Sequence, residues 1–206
     1  MINARHGSQR WKSPPEVKRP KGGRAEAGPG IYLTNLLERA MTYATGSGAC
    51  MHLGISPNLV LTKDVHIEPQ DALSFLRKTR GIKERSHLED DIRYEIGGSR
   101  ENRQSISLEQ IINLFVNSDN CIGEKALSLN SFILEKGAHA SLQWISGKED
   151  WLVVHDPEII TSHERVLSKD LDLYQAQLPC FRDQITQYTK TYDGNEGQRR
   201  TCRPVP

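Results

Sequence analysis

Apolar positions change period several times along the chain, and each change marks an element. Ile2-Asn3-Ala4-Arg5 alternates as a half-buried strand does and stops at His6-Gly7-Ser8. Residues 9–28 show neither period and are rich in Pro and Gly, the mark of a long loop. Ile31-Tyr32-Leu33-Thr34 is β-prone, and Asn35 with Glu38 three residues later has capping-box spacing. A helix over 36–44 is therefore predicted, stopped by Gly46-Ser47-Gly48. Cys50–Ile55 and Leu59–Leu61 read as short strand pieces, and Leu73, Phe75 and Leu76 predict a helix opening at Pro69 or Gln70 and ending near Gly81. Ser107 and Gln110 repeat the capping-box spacing before Ile111, Ile112, Leu114 and Phe115, and a further helix over 124–136 ends at Gly137. Strands over 141–145 and 151–155 flank the hairpin signal Ser146-Gly147-Lys148, and 159–166 supplies a third after Pro157. The charged stretch 83–103, with few aliphatics, is expected as an exposed loop or mobile insertion adding little core. The aperiodic end, 190–206, is expected as a disordered tail.

Strands at both ends with helices between them predict an α+β fold, with a single domain over 1–189. A length of 206 residues, 36% hydrophobic content and a net charge of +1 suit one soluble globular domain. Apolar runs such as 31–33 and 151–154 fall far short of the roughly 20 residues of a membrane span. The first residues lack the apolar stretch of a secretory signal, so cytoplasmic residence is expected, with no membrane partner. Cys50, Cys121, Cys180 and Cys202 lie far apart, which predicts reduced thiols rather than a zinc knuckle or disulfide scaffold. The remaining histidines, from His52 to His163, have no metal-ligand spacing, so no metal is expected.

The small net charge hides an asymmetry: residues 1–30 carry +5 and the rest −4. The excess sits in the loop, where Trp11 lies among Arg10, Lys12, Lys18 and Arg19, a combination suited to phosphate groups and stacked bases.

Three ordered pieces then stand out: His6-Gly7-Ser8, Gly28-Pro29-Gly30-Ile31-Tyr32, and Ala40 followed three residues later by Tyr43. Together they resemble the NAD-binding core of the ADP-ribosyltransferases, in the branch of diphtheria toxin and the poly(ADP-ribose) polymerases. The resemblance covers about residues 4–46 and, more weakly, 138–160. It implies a split, mostly antiparallel β core with flanking helices. It also implies NAD as co-substrate, bound by His6, Gly7, Ser8, Tyr32 and Tyr43. Tyr32 and Tyr43 would sandwich the cationic nicotinamide ring, which stacking and cation–π attraction favour. Gly7 would admit the carboxamide to the backbone, and His6 would donate to a ribose hydroxyl that Ser8 also contacts. Ala40 departs from the pattern, because the polymerases commonly place there a serine that bonds the carboxamide.

Cleavage of the glycosidic bond develops positive charge on the ribose, which a carboxylate at the 2′-hydroxyl stabilises. In the family that acid opens a late strand with the pattern acid, aromatic, aliphatic, valine. Asp150-Trp151-Leu152-Val153 matches with aspartate, and Glu149 stands immediately before it. Asp150 has the better local match, and Glu149 the usual chemistry and longer reach. A third register, anchored on Asp156, puts Trp151 at the acid's place. Strand alternation sends Glu149 and Trp151 to one face and Asp150 and Leu152 to the other.

The expected activity is therefore NAD-dependent mono-ADP-ribosyl transfer, with Tyr32 and either Asp150 or Glu149 in the catalytic group. The acceptor is a macromolecule, RNA, DNA or protein. Compact members of this family include toxins and phage-defence enzymes, so a neutralising antitoxin protein is a further expected partner. NAD hydrolysis to free ADP-ribose, or NAD binding without turnover, are the alternatives.

Overall fold

The computed structural model describes residues 1–20, 26–46, 48–97, 105–119, 121–167, 174 and 177–188. The expected tail at 190–206, Ser47, the loop residues 21–25 and the end of the charged stretch, 98–103, lie outside them.

Strand β1 (Ile2–Ser8) is the spine of a six-stranded, wholly antiparallel sheet. On one side it pairs along its whole length with β3 (Ala49–Ile55), which in turn pairs with the edge strand β8 (Ile160–Arg165). On the other side lie β2 (Ile31–Thr34), β7 (Glu149–Val154) and the second edge strand β6 (Ala140–Ser146). β1 and β2 are joined at a single pair, Arg5↔Thr34. Beyond it His6, Gly7 and Ser8 still pair with Met51, Cys50 and Ala49 of β3, but their β2 side is open. The 146–148 turn closes the expected β6–β7 hairpin, whereas β8 returns to the opposite edge of the sheet.

The alternation of side chains sorts the sheet into two faces. Ile2, Ala4, Ile31, Leu33, Leu152 and Val154 form one apolar cluster with Leu53, Ile159 and Phe181. The other face carries Arg5, Gly7, Tyr32, Thr34, Glu149 and Trp151, and on it lies α1 (Leu37–Tyr43). A second apolar cluster joins α2 (Pro69–Lys78), α3 (Arg85–Gly97), α4 (Leu108–Asp119) and α5 (Glu124–Glu135). A last helical segment at 181–188 brings Phe181 to the sheet. Two short strands, β4 (His66–Ile67) and β5 (Ile106–Ser107), pair separately.

The predicted capping box at α4 is formed: the Gln110 side chain accepts from Ser107 N–H, and Ser107 Oγ accepts from Gln110 N–H. Three local expectations are overturned. Asn35 is not a helix cap but is fully buried, donating from Nδ2 to the carbonyls of Lys148 and Leu178 and accepting from Asp150 N–H. Thr34 Oγ1 instead accepts from Leu36 N–H ahead of α1. Residues 85–97 are helical rather than an exposed loop, because Leu88 and Ile92, one turn apart, are fully buried in the helical cluster. Leu59–Leu61 is not a strand, and only a lone parallel bridge, Leu61↔Ala140, forms there. Cys50, Cys121 and Cys180 are buried and form no disulfide. Among the described residues no helix is long and apolar enough to cross a membrane.

Candidate functional site

The opening between β1 and β2 is one wall of a cavity of about 440 Å³, within the roughly 300–1,000 Å³ of small-molecule sites. His6, Gly7 and Ser8 line it from β1, Gly30 from the turn before β2, Ile31–Thr34 from β2, and Arg39, Ala40 and Tyr43 from α1. Trp151 closes the β7 side, and Trp11, Lys12, Glu16 and Lys18 of the basic loop close the outer side. All five residues expected to hold the dinucleotide are thus on one surface.

His6 is oriented by a 2.8 Å hydrogen bond from Nδ1 to the Tyr32 carbonyl. A carbonyl only accepts, so Nδ1 carries the proton. Burial, with the Lys18 charge adding to it, holds the imidazole pKa below its ordinary value and keeps the ring neutral. Nε2 is then an acceptor, so a ribose hydroxyl would donate to His6, the reverse of the direction expected from the motif.

Tyr32 is held by its phenol, which donates to Gly28 O (2.7 Å) and accepts from Ala27 N–H (3.0 Å). Burial pushes its pKa up to about 12, so the hydroxyl stays protonated. The Gly28 backbone, at φ +87°, is in the left-handed region that glycine adopts without strain. The Trp151 ring meets the Tyr32 ring edge-on at 5.9 Å. Tyr43 is 54% exposed and stands at the rim rather than deep in the cavity.

Gly7 is required by packing as well as by any ligand. A Cβ there would lie 1.7 Å from the Ala40 carbonyl oxygen and 3.0 Å from Tyr43 Cβ, so only glycine lets α1 lie this close to β1. Ala40 is fully buried at this contact.

The two candidate acids part company, as alternation demands. Asp150 points away from the cavity and is buried against Arg182, whose Nη2 and Nε reach Oδ1 and Oδ2 at 2.6 and 3.1 Å. Glu149 is on the cavity's side of the sheet, just behind its wall. Its carboxylate accepts from Arg39 Nε (3.0 Å) and Nη2 (3.2 Å), Trp151 Nε1 (2.8 Å) and Thr34 Oγ1 (3.3 Å). Burial opposes its ionisation, but the Arg39 and Trp151 bonds outweigh that and hold its pKa below the usual glutamate value. Arg39, Trp151 and Thr34 line the cavity, and the Glu149 carboxylate lies behind them.

The basic loop is pinned across the opening, while its cations Arg10, Lys12, Lys18 and Arg19 stay exposed. Trp11 meets the His6 ring at 5.3 Å and that of His163 on β8 at 5.7 Å, and Ser13 Oγ lies 3.1 Å from His163 Nε2. Arg19 pairs with Glu124 at 2.7 Å, and Gly123 N–H donates to Pro20 O. The indole N–H of Trp11 is buried without a hydrogen-bond partner among the described residues. Arg39 is a member of the site that the motifs do not mark. The available signal was helical spacing, four residues before Tyr43 on the same face of α1. Among the described residues no group of three potential ligands is placed to hold a metal. Comparison with protein-family models, curated proteins and solved structures gave no match.

Proposed function

We propose that the chain is an NAD-dependent mono-ADP-ribosyltransferase acting on a macromolecular acceptor. The observation that carries this reading is the convergence of His6-Gly7-Ser8, Tyr32 and Tyr43 on one aromatic-lined cavity, with an ionised glutamate, Glu149, just behind its wall. The single-pair joint between β1 and β2 is in keeping with the split core that the motif resemblance implies.

Tyr32, Tyr43, Trp11 and Trp151 offer ring faces and edges to a flat cationic heterocycle, and Lys12 and Lys18 supply cations for a pyrophosphate. In the reaction the bond between the ribose C1′ and the nicotinamide nitrogen breaks, and nicotinamide leaves with the electron pair. A nucleophile of the acceptor attacks C1′ and gives up its proton. Glu149 is the acid suited to the developing positive charge, because it is ionised and shares the cavity's face of the sheet. Asp150 is committed to Arg182 on the other face and drops out of the catalytic group.

Incubation with NAD labelled on the adenylate phosphate, with separate pools of RNA, DNA and protein, tests the reading. Label entering one pool, lost in His6→Ala and Tyr32→Ala, is expected and identifies the acceptor class. Free labelled ADP-ribose alone identifies a glycohydrolase. Binding without nicotinamide release, in a folded protein, overturns the enzymatic reading. An antitoxin partner is tested by co-purification with the products of adjacent genes, one of which is expected to abolish labelling.

A further inference from the structure

We propose that Arg39 positions the Glu149 carboxylate, fixing its plane and the place of its charge just behind the cavity wall formed by Trp151, Thr34 and Arg39; this rests on the transferase reading above. The guanidinium grips both carboxylate oxygens from the side, Nε on Oε1 at 3.0 Å and Nη2 on Oε2 at 3.2 Å. Such a two-point contact fixes both position and plane, which a point charge cannot do. Trp151 Nε1 and Thr34 Oγ1 complete the set on Oε1. The Glu149 side chain is 4% exposed, so water does not orient it, whereas that of Arg39 is 43% exposed and reaches the cavity.

The same contact stabilises the ionised acid. The titratable groups on the elements around Glu149 are Glu38, Arg39 and Tyr43 of α1, Tyr32 of β2, Lys148 of the turn before β7 and Cys180, with the Asp150–Arg182 pair across β7. Of these, Arg39 supplies the cation bonded to Glu149. Without it burial prevails, and the carboxylate takes up a proton at higher pH.

The test compares wild type, Arg39→Met, Arg39→Lys and Glu149→Gln, each shown folded by circular dichroism. Nicotinamide release is followed from about pH 3 to 8, and the Glu149 carboxylate is titrated over the same range by ¹³C NMR, with the Glu149→Gln spectrum assigning the signal. In Arg39→Met, kcat falls by about 10–100-fold, as for a misplaced catalytic group. KM stays within about threefold, and the acidic limb of the profile moves up by about one pH unit or more, together with the NMR midpoint. Arg39→Lys, which restores charge but not the two-point grip, returns the limb towards wild type and leaves kcat low. A rise in KM with kcat and limb unmoved would make Arg39 a substrate contact and overturn the proposal, as would unchanged kinetics. If wild type releases no nicotinamide, the transferase reading fails by itself. The NMR titration then decides on Arg39: equal midpoints in wild type and Arg39→Met overturn its hold on Glu149, and an upward shift sustains it.

Discussion

His155 is fully buried just after β7, and its partners are uncharged. Nδ1 donates to the Pro29 carbonyl at 2.6 Å, and Nε2 accepts from Ser141 Oγ at 2.7 Å. Ser141 in turn accepts from Thr62 Oγ1 at 2.9 Å, completing a buried relay from 3-10 helix Thr62–Asp64 to Pro29 in the turn that leads into β2. With no carboxylate in this chain of bonds, burial depresses the imidazole pKa from 6.5 to about 4. A base whose pKa is lowered in the folded state is protonated more readily when unfolded. Its contribution is therefore complete above pH 6.5 and declines as the pH falls towards 4. At 1.36 kcal/mol per pKa unit, the share lost between pH 7.5 and 4.5 is about 2.5 kcal/mol. The window stops at 4.5 so that Glu149, whose contribution is lost below that pH, does not enter. His6 and His52 also titrate low when folded and act in the same direction, so the comparison must be with a variant. Urea unfolding followed by tryptophan fluorescence at both pH values, in wild type and His155→Gln, isolates the term. The variant is less stable at pH 7.5, but its loss on acidification is smaller by about 2.5 kcal/mol. Equal acid sensitivity in the two proteins refutes the argument, as does an imidazolium signal for His155 by NMR at pH 5.5 in the folded wild type.

Further substitutions read other parts of the structure. Gly7→Ala forces α1 off β1 and costs about 2–3 kcal/mol; because Ala40 and Tyr43 move with that helix, it also weakens NAD binding, measured by tryptophan quenching. Arg182→Ala strands the buried Asp150 carboxylate and destabilises the fold more than Asp150→Ala, which leaves only a half-exposed arginine; equal losses in urea melts contradict this pairing. Glu149→Gln lowers nicotinamide release by about 10²-fold or more, while Asp150→Asn keeps turnover per folded molecule within a few-fold; the opposite ranking restores Asp150 as the acid. Leu88→Ala costs about 2–5 kcal/mol if 85–97 is a core helix, and under 0.5 if it is a solvated loop.

Features that rest on neighbours in sequence were legible in the chain. Hydrophobic period placed β1, β2, the β6–β7 hairpin and the three amphipathic helices α2, α4 and α5, because burial of one face depends on spacing alone. The Ser107–Gln110 box is settled by four consecutive residues. Alternation along β7 separates Glu149 from Asp150 whatever the tertiary fold, since a strand's two faces are a local property. The side of the sheet that carries the cavity was not legible, because it depends on where α1 packs. Glu149 meets Arg39 across 110 positions and Asp150 meets Arg182 across 32, and charge order in the chain cannot select such partners. Asn35 had the composition of a cap, but burial made backbone groups at 148, 150 and 178 its stronger partners. In 85–97, two aliphatics among charges were too few to mark a helix. They suffice once Leu88 and Ile92 meet the other helices, because packing rather than propensity supplies most of a helix's stability.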